Sequence, residues 1–264
     1  MALIFGLDKW KEYQPRNDEN APIVLCFGDS WFWYPIPGIG NLSNRFLDFG
    51  KYQAIDIVAI GKSGMEIALP GKSILYDLTT FLQWESKTVD MIAISGGGND
   101  FAGADDLDPL LKKGKANDVT TWFKAKETDD LFASIKRGYE RVIYLRDTFC
   151  PTIPITTHCY DYAHATGKGL MWFSPWIKPS LDKIGMPALM QADAVRLIID
   201  KLADIQTSLK SDLYHFVDTR NSLTLSDWSN ELHPTGDGFN KIARSFYPVY
   251  EKYFTDWVRK PKWY

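Results

Sequence analysis

Five short runs rich in valine, isoleucine and alanine most constrain the fold that this chain can adopt. They lie at residues 23–27, 55–60, 89–95, 153–157 and 216–218. Each is nearly continuous in apolar residues, which is typical of strands buried on both faces of a sheet. Apolar residues at helical spacing occupy parts of residues 131–143, 195–209 and 239–246, and Pro248 is expected to kink or end the last helix. This alternation predicts a five-stranded parallel sheet in a three-layer α/β/α sandwich.

Two segments exceed what this minimal architecture needs. Residues 101–128 are polar and charged, and residues 160–187 are rich in glycine, proline and aromatic side chains. Long irregular segments in a compact domain are usually lids or binding loops, and we predict that role for both. A chain of 264 residues can form one large α/β domain or two small ones. The pattern favours one domain over residues 1–264 that carries these two insertions.

Composition and charge exclude several classes of protein. With 45% hydrophobic and 24% charged residues, the chain is neither disordered nor collagen-like nor a coiled coil. The formal charge is −3, so the chain lacks the excess of basic residues that is typical of proteins that bind nucleic acid or anionic lipid. Three cysteines without a C-x-x-C pair require no disulfide framework. No apolar run is long enough to span a membrane and no signal peptide is visible, so we expect a cytoplasmic protein. The sequence does not determine its oligomeric state.

Four short motifs follow predicted strands. They are GDS at residues 28–30, GKSG at 61–64, SGGGND at 95–100 and NELHPTG at 230–236. Each has a structural interpretation: Ser30 as a helix cap, His233 as a hydrogen-bonded core residue, and the glycine motifs as turns. However, the carboxyl ends of parallel strands share one edge of a sheet, where ligands bind. Their common location favours a functional site.

The order of these motifs resembles that of the SGNH hydrolases, the GDSL-type esterases and lipases. The resemblance covers the four blocks and their spacing, from about residue 22 to residue 245. It implies a flavodoxin-like sandwich in which Ser30 is the nucleophile and His233 is the base. It also implies an oxyanion hole made of the Ser30 N–H, the Gly64 N–H and the Asn99 side chain. Gly64 is preferred to Gly61 because it forms a Ser-Gly pair like that of the family's second block.

The sequence departs from the family at the partner of His233. The family usually has an aspartate three residues before the histidine, where this chain has Asn230. Three arrangements are open: Asn230 orients the imidazole as a neutral partner, Asp227 reaches it from the preceding turn, or a backbone carbonyl holds the ring. Glu231 is the carboxylate nearest in sequence. We favour Asn230 in the catalytic set, with Asp227 as the second choice.

Aromatic residues near the nucleophile and in the second insertion are candidates for substrate binding. Trp31 and Trp33 follow Ser30, while Tyr160 and Trp172 belong to residues 160–187. Such dense aromatics form either core or pocket walls, and we predict that these four line the substrate pocket. An aromatic wall suits acyl chains and sugar rings equally, so it leaves the substrate open.

The remaining polar clusters do not predict a cofactor. His158, Asp161 and His164 lie in one short segment, but their spacing is not diagnostic of a metal site. The GKS sequences at residues 61–63 and 71–73 lack the first glycine of a phosphate-binding loop. We therefore expect neither a metal nor another cofactor.

The motifs together predict a serine ester hydrolase that forms an acyl-enzyme on Ser30. Its substrates would be small-molecule carboxylic esters with short or medium acyl groups, or acetylated carbohydrates. Two alternatives stay open. An acyltransferase would use the same site with a bound alcohol in place of water, as a dry, lidded cleft favours. A catalytically impaired binding protein would keep the fold, and only Asn230 supports it.

Overall fold

A six-stranded parallel sheet lies at the centre of the part of the chain that the structure describes. The computed structural model describes residues 2–13, 21–34, 40–47, 55–102, 106–170 and 175–255. The strands are β1 (Leu3–Phe5), β2 (Ile23–Gly28), β3 (Asp56–Gly61), β4 (Val89–Ser95), β5 (Ile155–His158) and β6 (Tyr214–Val217). Their order is β1-β3-β2-β4-β5-β6, and each neighbouring pair is parallel. The predicted α/β class is confirmed.

Ten helices lie around the sheet in the described part of the chain, and six of them form two packed groups. They are α1 (Leu7–Tyr13), α2 (Ser30–Trp33), α3 (Leu42–Leu47), α4 (Lys72–Trp84), α5 (Asn99–Ala102), α6 (Ala125–Phe149), α7 (Lys178–Lys183), α8 (Ala188–Ser208), α9 (Gly236–Ser245) and α10 (Tyr247–Phe254). One group packs in the series α4, α6 and α8, and the other in the series α3, α9 and α10. These layers are the predicted α/β/α sandwich.

Burial explains why the central strands were recognisable. All residues of β2 are buried, as are all but one residue each of β3 and β4. A strand covered by helices on both faces has no solvent side, so its sequence is apolar throughout.

The predicted number of five strands is wrong, because β1 adds a sixth at the edge of the sheet. It has only three residues, all half-buried, and pairs with β3 through Leu3 with Ile57 and Phe5 with Ala59. Three residues are too few to show a periodic pattern, and their partners lie more than fifty positions along the chain. The last strand also begins at Tyr214, two residues earlier than predicted.

The predicted helices are confirmed, and the last of them ends near the predicted proline. The apolar stripes lie on α6, α8 and α9, where Ile135, Ile198 and Ile242 are buried. Helix α9 ends at Ser245, and α10 starts a new helix with Pro248 in its first turn. A proline is tolerated there because the first N–H groups of a helix have no partner within it.

The two insertions differ in regularity. The described part of residues 101–128 contains two 3₁₀ turns, Asp108–Leu110 and Val119–Trp122, and a bridge between Leu111 and Phe123. These turns pack on α6 and α8. The described part of residues 160–187 has no regular element before α7, whose Leu181 is buried.

No disulfide joins the three cysteines. Cys26, Cys150 and Cys159 are all buried and carry free thiols. Among the described residues, we find no helix with both the length and the apolar character needed to cross a membrane.

Candidate active site

Segments that follow three neighbouring strands meet at the carboxyl edge of the sheet. Strand β2 leads into α2, β3 leads into a turn at residues 62–64, and β4 leads into the glycine-rich segment before α5. Because β2 lies between β3 and β4, these three segments are neighbours. A fourth segment, residues 228–235, precedes α9 and is defined here as the histidine loop. All four predicted motifs therefore contribute to this region.

Ser30 is the first residue of α2, and its hydroxyl faces a histidine. The N-cap is Asp29, whose carboxylate accepts the Trp31 N–H at 3.0 Å. Ser30 therefore does not cap this helix, which leaves its side chain without the expected structural role. Its Oγ lies 2.8 Å from Nε2 of His233, and the residue is 9% exposed. A hydroxyl in this position can give its proton to the imidazole.

Asn230 determines which nitrogen of His233 carries the hydrogen. Its Oδ1 accepts the backbone N–H groups of Leu232 at 2.9 Å and His233 at 3.0 Å, and its Nδ2 donates to the Tyr34 hydroxyl at 3.1 Å. The same Oδ1 lies 3.1 Å from Nδ1 of His233. Since Oδ1 can only accept, Nδ1 is the protonated nitrogen. Nε2 is then free to accept the proton of Ser30.

Aromatic rings hold this imidazole in place. Tyr34 stacks on His233 with ring centroids 4.3 Å apart, and Trp176 meets it edge-on at 5.9 Å. The indole N–H of Trp31 donates to the Leu232 carbonyl at 3.0 Å, which joins α2 to the histidine loop. Burial lowers the pKa of His233 to about 3. The ring is therefore neutral at physiological pH, as a general base must be.

Asp227, the second candidate partner of His233, binds other groups. Its carboxylate pairs with Nζ of Lys241 at 2.7 Å and accepts the N–H and the hydroxyl of Thr224 at 2.8 Å each. The hydrogen bond from Lys241 lowers the pKa of this carboxyl below its usual value. Asp227 ends a 3₁₀ turn, and its side chain folds back over the start of that turn. The structure thus brings Asn230, rather than Asp227, to the imidazole.

Glu231 has a role that the sequence did not reveal. It is fully buried, and its carboxylate accepts four backbone N–H groups at 2.8–3.2 Å, from Gly167, Trp176, Ile177 and Lys178. It thereby fastens two parts of residues 160–187 to the histidine loop. Its donors are main-chain groups, which any residue supplies, so no side-chain pattern could have predicted the contact.

A buried carboxylate lies beside Asn99. Oδ2 of Asp29 accepts the Asn99 amide at 3.4 Å and the Tyr160 hydroxyl, and Oδ1 accepts the Ser95 hydroxyl at 2.9 Å. Burial raises the pKa of Asp29 to about 6, although the hydrogen bonds from Tyr160 and Ser95 oppose the shift. The Asn99 amide also donates to the Met65 carbonyl at 3.4 Å. Both hydrogen bonds of the Asn99 amide are long and therefore weak, so this amide can donate to a nearby ligand instead.

Gly61 and Gly64 require glycine for different reasons. A Cβ at Gly61 would lie 1.9 Å from the carbonyl oxygen of Gly28, so close packing of strand ends requires a glycine there. Gly64 has a left-handed φ of +75° in a turn with open space around it. The Ser63 hydroxyl ties this turn to α2 by donating to the Trp33 carbonyl at 2.8 Å. The role of the Gly64 N–H as an oxyanion donor stays a prediction.

A cleft of about 640 Å³, counted with its open mouth, lies beside Ser30. Of the predicted aromatic residues, Trp31 and Tyr160 contribute to its wall. Trp33 is not part of the described wall, because its ring packs edge-on against Phe5 with centroids 4.7 Å apart. Residues two apart on a helix point about 200° apart, so Trp31 and Trp33 face opposite sides of α2. Trp172 lies outside the described residues.

His158 and Asp161, two members of the predicted polar cluster, have structural partners. His158 is fully buried, its Nδ1 accepts the Tyr160 N–H at 3.0 Å, and burial lowers its pKa to about 3. The Asp161 carboxylate accepts the backbone N–H groups of Asn221 at 2.7 Å and Leu223 at 2.6 Å. Within the described ranges, no group of three or more histidine, cysteine, aspartate or glutamate side chains could hold a metal ion.

Solved structures with a similar fold include lipases and a phospholipase. The extracellular lipase of Streptomyces rimosus is 15% identical, with a TM-score of 0.52 over 88% of this chain and 100% of that chain. The lipase Lip_vut3 from a goat rumen metagenome is 15% identical, with a TM-score of 0.56 over 87% and 97%. Phospholipase A1 of Streptomyces albidoflavus is 14% identical, with a TM-score of 0.51 over 88% and 99%. At such identities the likeness shows the fold alone.

Neither the known protein-family models nor the curated proteins contain a match to this chain.

Proposed function

We propose that this chain, which has the fold of the SGNH hydrolases, is a serine ester hydrolase that works through an acyl-enzyme on Ser30. One observation carries the proposal: an unbroken chain of contacts runs from Ser30 Oγ through the His233 imidazole to Asn230 Oδ1. The tautomer defined by Asn230 presents the unprotonated nitrogen to the hydroxyl. A nucleophile, a base and a group that orients the base are the elements of acyl transfer.

The reaction follows from this geometry in two steps. Ser30 Oγ attacks the ester carbonyl while Nε2 of His233 takes its proton. The imidazolium then protonates the departing alcohol, and the acyl group remains on Ser30. Water, deprotonated by the same nitrogen, attacks the acyl-enzyme, and the imidazolium returns this proton to Ser30 Oγ as its bond to the acyl group breaks and the carboxylic acid leaves.

The negative charge that develops on the carbonyl oxygen needs donors close to Ser30. The Ser30 N–H is available because the first N–H groups of a helix have no acceptor within it. The Asn99 amide is available because its two present hydrogen bonds are long. We assign the third donor to the N–H of Gly64 by resemblance, on the turn that Ser63 ties to α2. Such donors are worth about 10²–10³ in rate each.

Asn230 supports hydrolysis, although it carries no charge. An amide oxygen fixes the tautomer and the orientation of His233 as an aspartate would, but it stabilises the imidazolium less. The hydrogen bond that its Oδ1 accepts from the Leu232 N–H and the one that its Nδ2 donates to the Tyr34 hydroxyl hold this amide in its orientation. An impaired binding protein would have no need for such an aligned chain of three side chains.

Covalent labelling tests the proposal directly. The purified protein is incubated with a fluorophosphonate, which reacts with activated serines, and the labelled peptide is identified by mass spectrometry. We expect one label per chain, on Ser30, and hydrolysis of p-nitrophenyl esters that the label abolishes. Protein unfolded in urea is the control, and it should not react because its Ser30 has lost His233. A folded protein that neither reacts nor cleaves any ester of the panel would contradict the proposal.

The substitution Asn230→Asp is expected to move the acid limb of the pH profile of kcat/KM to higher pH. The pKa of His233 is about 3, so the base stays unprotonated from pH 5 to 8. A carboxylate beside Nδ1 favours the imidazolium and raises this pKa, typically by about 1–3 units. The fraction of active base then falls at higher pH than in the wild type. The measurement is kcat/KM for one ester between pH 4 and 8.

The control for this profile is Asp227→Asn. Its carboxylate binds Lys241 and Thr224, so its loss should leave the pH profile unchanged. All three proteins retain Asp29, whose pKa is about 6, so its titration cancels in the comparison. If the profile of Asn230→Asp coincides with that of the wild type while that of Asp227→Asn moves, Asp227 is the partner of His233.

A further inference from the structure

We propose that the cleft beside Ser30 holds the acyl part of the ester and that this part is an aliphatic chain longer than acetyl. The inference rests on the proposed hydrolysis at Ser30 and names the class of acid that the site selects. Beyond Ser30 and Asn99, the wall comes mainly from aliphatic side chains of the two insertions and of α8. Its chief members are Leu107, Ile177, Leu181, Val195, Ile198 and Ile199.

The carboxylates in this wall are already bound to other groups. Asp161 accepts backbone N–H groups of Asn221 and Leu223, and Asp29 accepts the hydroxyl of Tyr160. A sugar ring placed against the aliphatic side chains of this wall would lose its bonds to water there without finding hydrogen-bonding groups in exchange. Burying such hydroxyl groups unpaired is costly, whereas burying methylene groups is favourable. The wall therefore selects an aliphatic group over a carbohydrate.

The position of His233 decides which half of the ester enters the cleft. The departing alcohol must face the imidazole, because it takes its proton from Nε2. Trp228 and Leu232 of the histidine loop line the cleft but the imidazole is not part of the described wall, whereas Ser30 and Asn99, which would meet the carbonyl group, are. We therefore place the ester carbonyl beside Ser30 and Asn99, within reach of the cleft. The acyl chain lies along it, and the alcohol leaves past His233.

Chain-length dependence tests this assignment. The substrates are p-nitrophenyl acetate, butyrate and octanoate, which share one leaving group, at concentrations below those at which they aggregate. Each methylene that leaves water for this cleft should improve kcat/KM up to about fourfold. We expect the octanoate to exceed the acetate by at least about tenfold.

A variant that fills the cleft tests whether the preference for longer acyl chains comes from contacts with this wall. Ala194 is buried in α8 and contributes to the wall. Ala194→Leu should lower the ratio of octanoate to acetate kcat/KM by about tenfold or more. Ala192→Leu introduces the same side chain at an exposed site on the same helix and should leave the ratio unchanged. If Ala194→Leu does not fold, Ala163→Leu at a half-buried position of the wall replaces it.

Three results would overturn the inference. If acetate is cleaved as well as octanoate and neither wall variant changes the ratio, the cleft is not the acyl site, while ester hydrolysis at Ser30 stands. If an acetylated xylose derivative is cleaved faster than the octanoate, the site selects carbohydrate esters. If the folded protein cleaves no ester and the fluorophosphonate does not label Ser30, the proposed function fails and this inference fails with it.

Discussion

Replacing Ser30 with alanine is expected to lower kcat for ester hydrolysis by on the order of 10⁴–10⁶-fold. The substitution removes the one atom that forms the bond to the acyl group, and water in its place is neither held nor activated to the same degree. Stability should change little, because the N-cap of α2 is Asp29 and the Ser30 side chain contacts His233 instead. The measurements are kcat with p-nitrophenyl butyrate and the free energy of unfolding.

Two comparisons distinguish a catalytic role of Ser30 from a role as a helix cap. Ser226→Ala, at an exposed position on the 3₁₀ turn before the histidine loop, should keep both activity and stability. If Ser30 acted as a helix cap, its loss would instead cost about 0.5–2 kcal/mol in the free energy of unfolding. A Ser30→Ala protein that is destabilised and still hydrolyses the ester at a tenth of the wild-type rate would rule out Ser30 as the nucleophile.

Replacing Glu231 with glutamine is expected to lower the free energy of unfolding by about 3–5 kcal/mol. The carboxylate accepts four backbone N–H groups, two on each oxygen. Glutamine has the same shape, but its NH₂ group cannot accept, so two of the four N–H groups lose their acceptor at a side chain that is itself fully buried. Urea unfolding followed by circular dichroism measures the change.

The activity of Glu231→Gln shows whether this anchor serves the site as well as the fold. Ile177 lines the cleft and Trp176 contacts the imidazole of His233, and the carboxylate holds the backbone N–H of both. KM for the octanoate should therefore rise in protein that is still folded. Glu140→Gln is the matched control, since it lies exposed on α6 and should change stability by less than about 0.5 kcal/mol. An equal stability of the two variants would show that the carboxylate does not hold these segments.

Local sequence patterns were sufficient to predict the layered α/β class of this protein, but not every helix in its layers, since α4 was not predicted. A strand covered on both faces must be apolar along its length, and a helix on the sheet must be apolar on one side. These requirements act on consecutive residues, so β2, β3, β4, α6 and α8 could be recognised without the structure. The edge strand β1 escaped because three half-buried residues satisfy no such requirement by themselves.

The partners of the polar side chains were decided by the tertiary structure. Asn230 and Asp227 were both close enough in sequence to serve His233, and only the path of the loop gives one of them to the imidazole and the other to Lys241. The anchor at Glu231 binds main-chain groups more than fifty positions away.

Trp31 and Trp33, on opposite sides of α2, are a second case in which the sequence did not determine what a side chain contacts. Both are aromatic and both follow Ser30, yet one lines the cleft and the other packs on Phe5. Residue types and their order in the chain thus determined the class of fold and the set of candidate residues. Which of them touch depends on how distant segments pack, because a hydrogen bond or a ring contact forms only within a few ångströms.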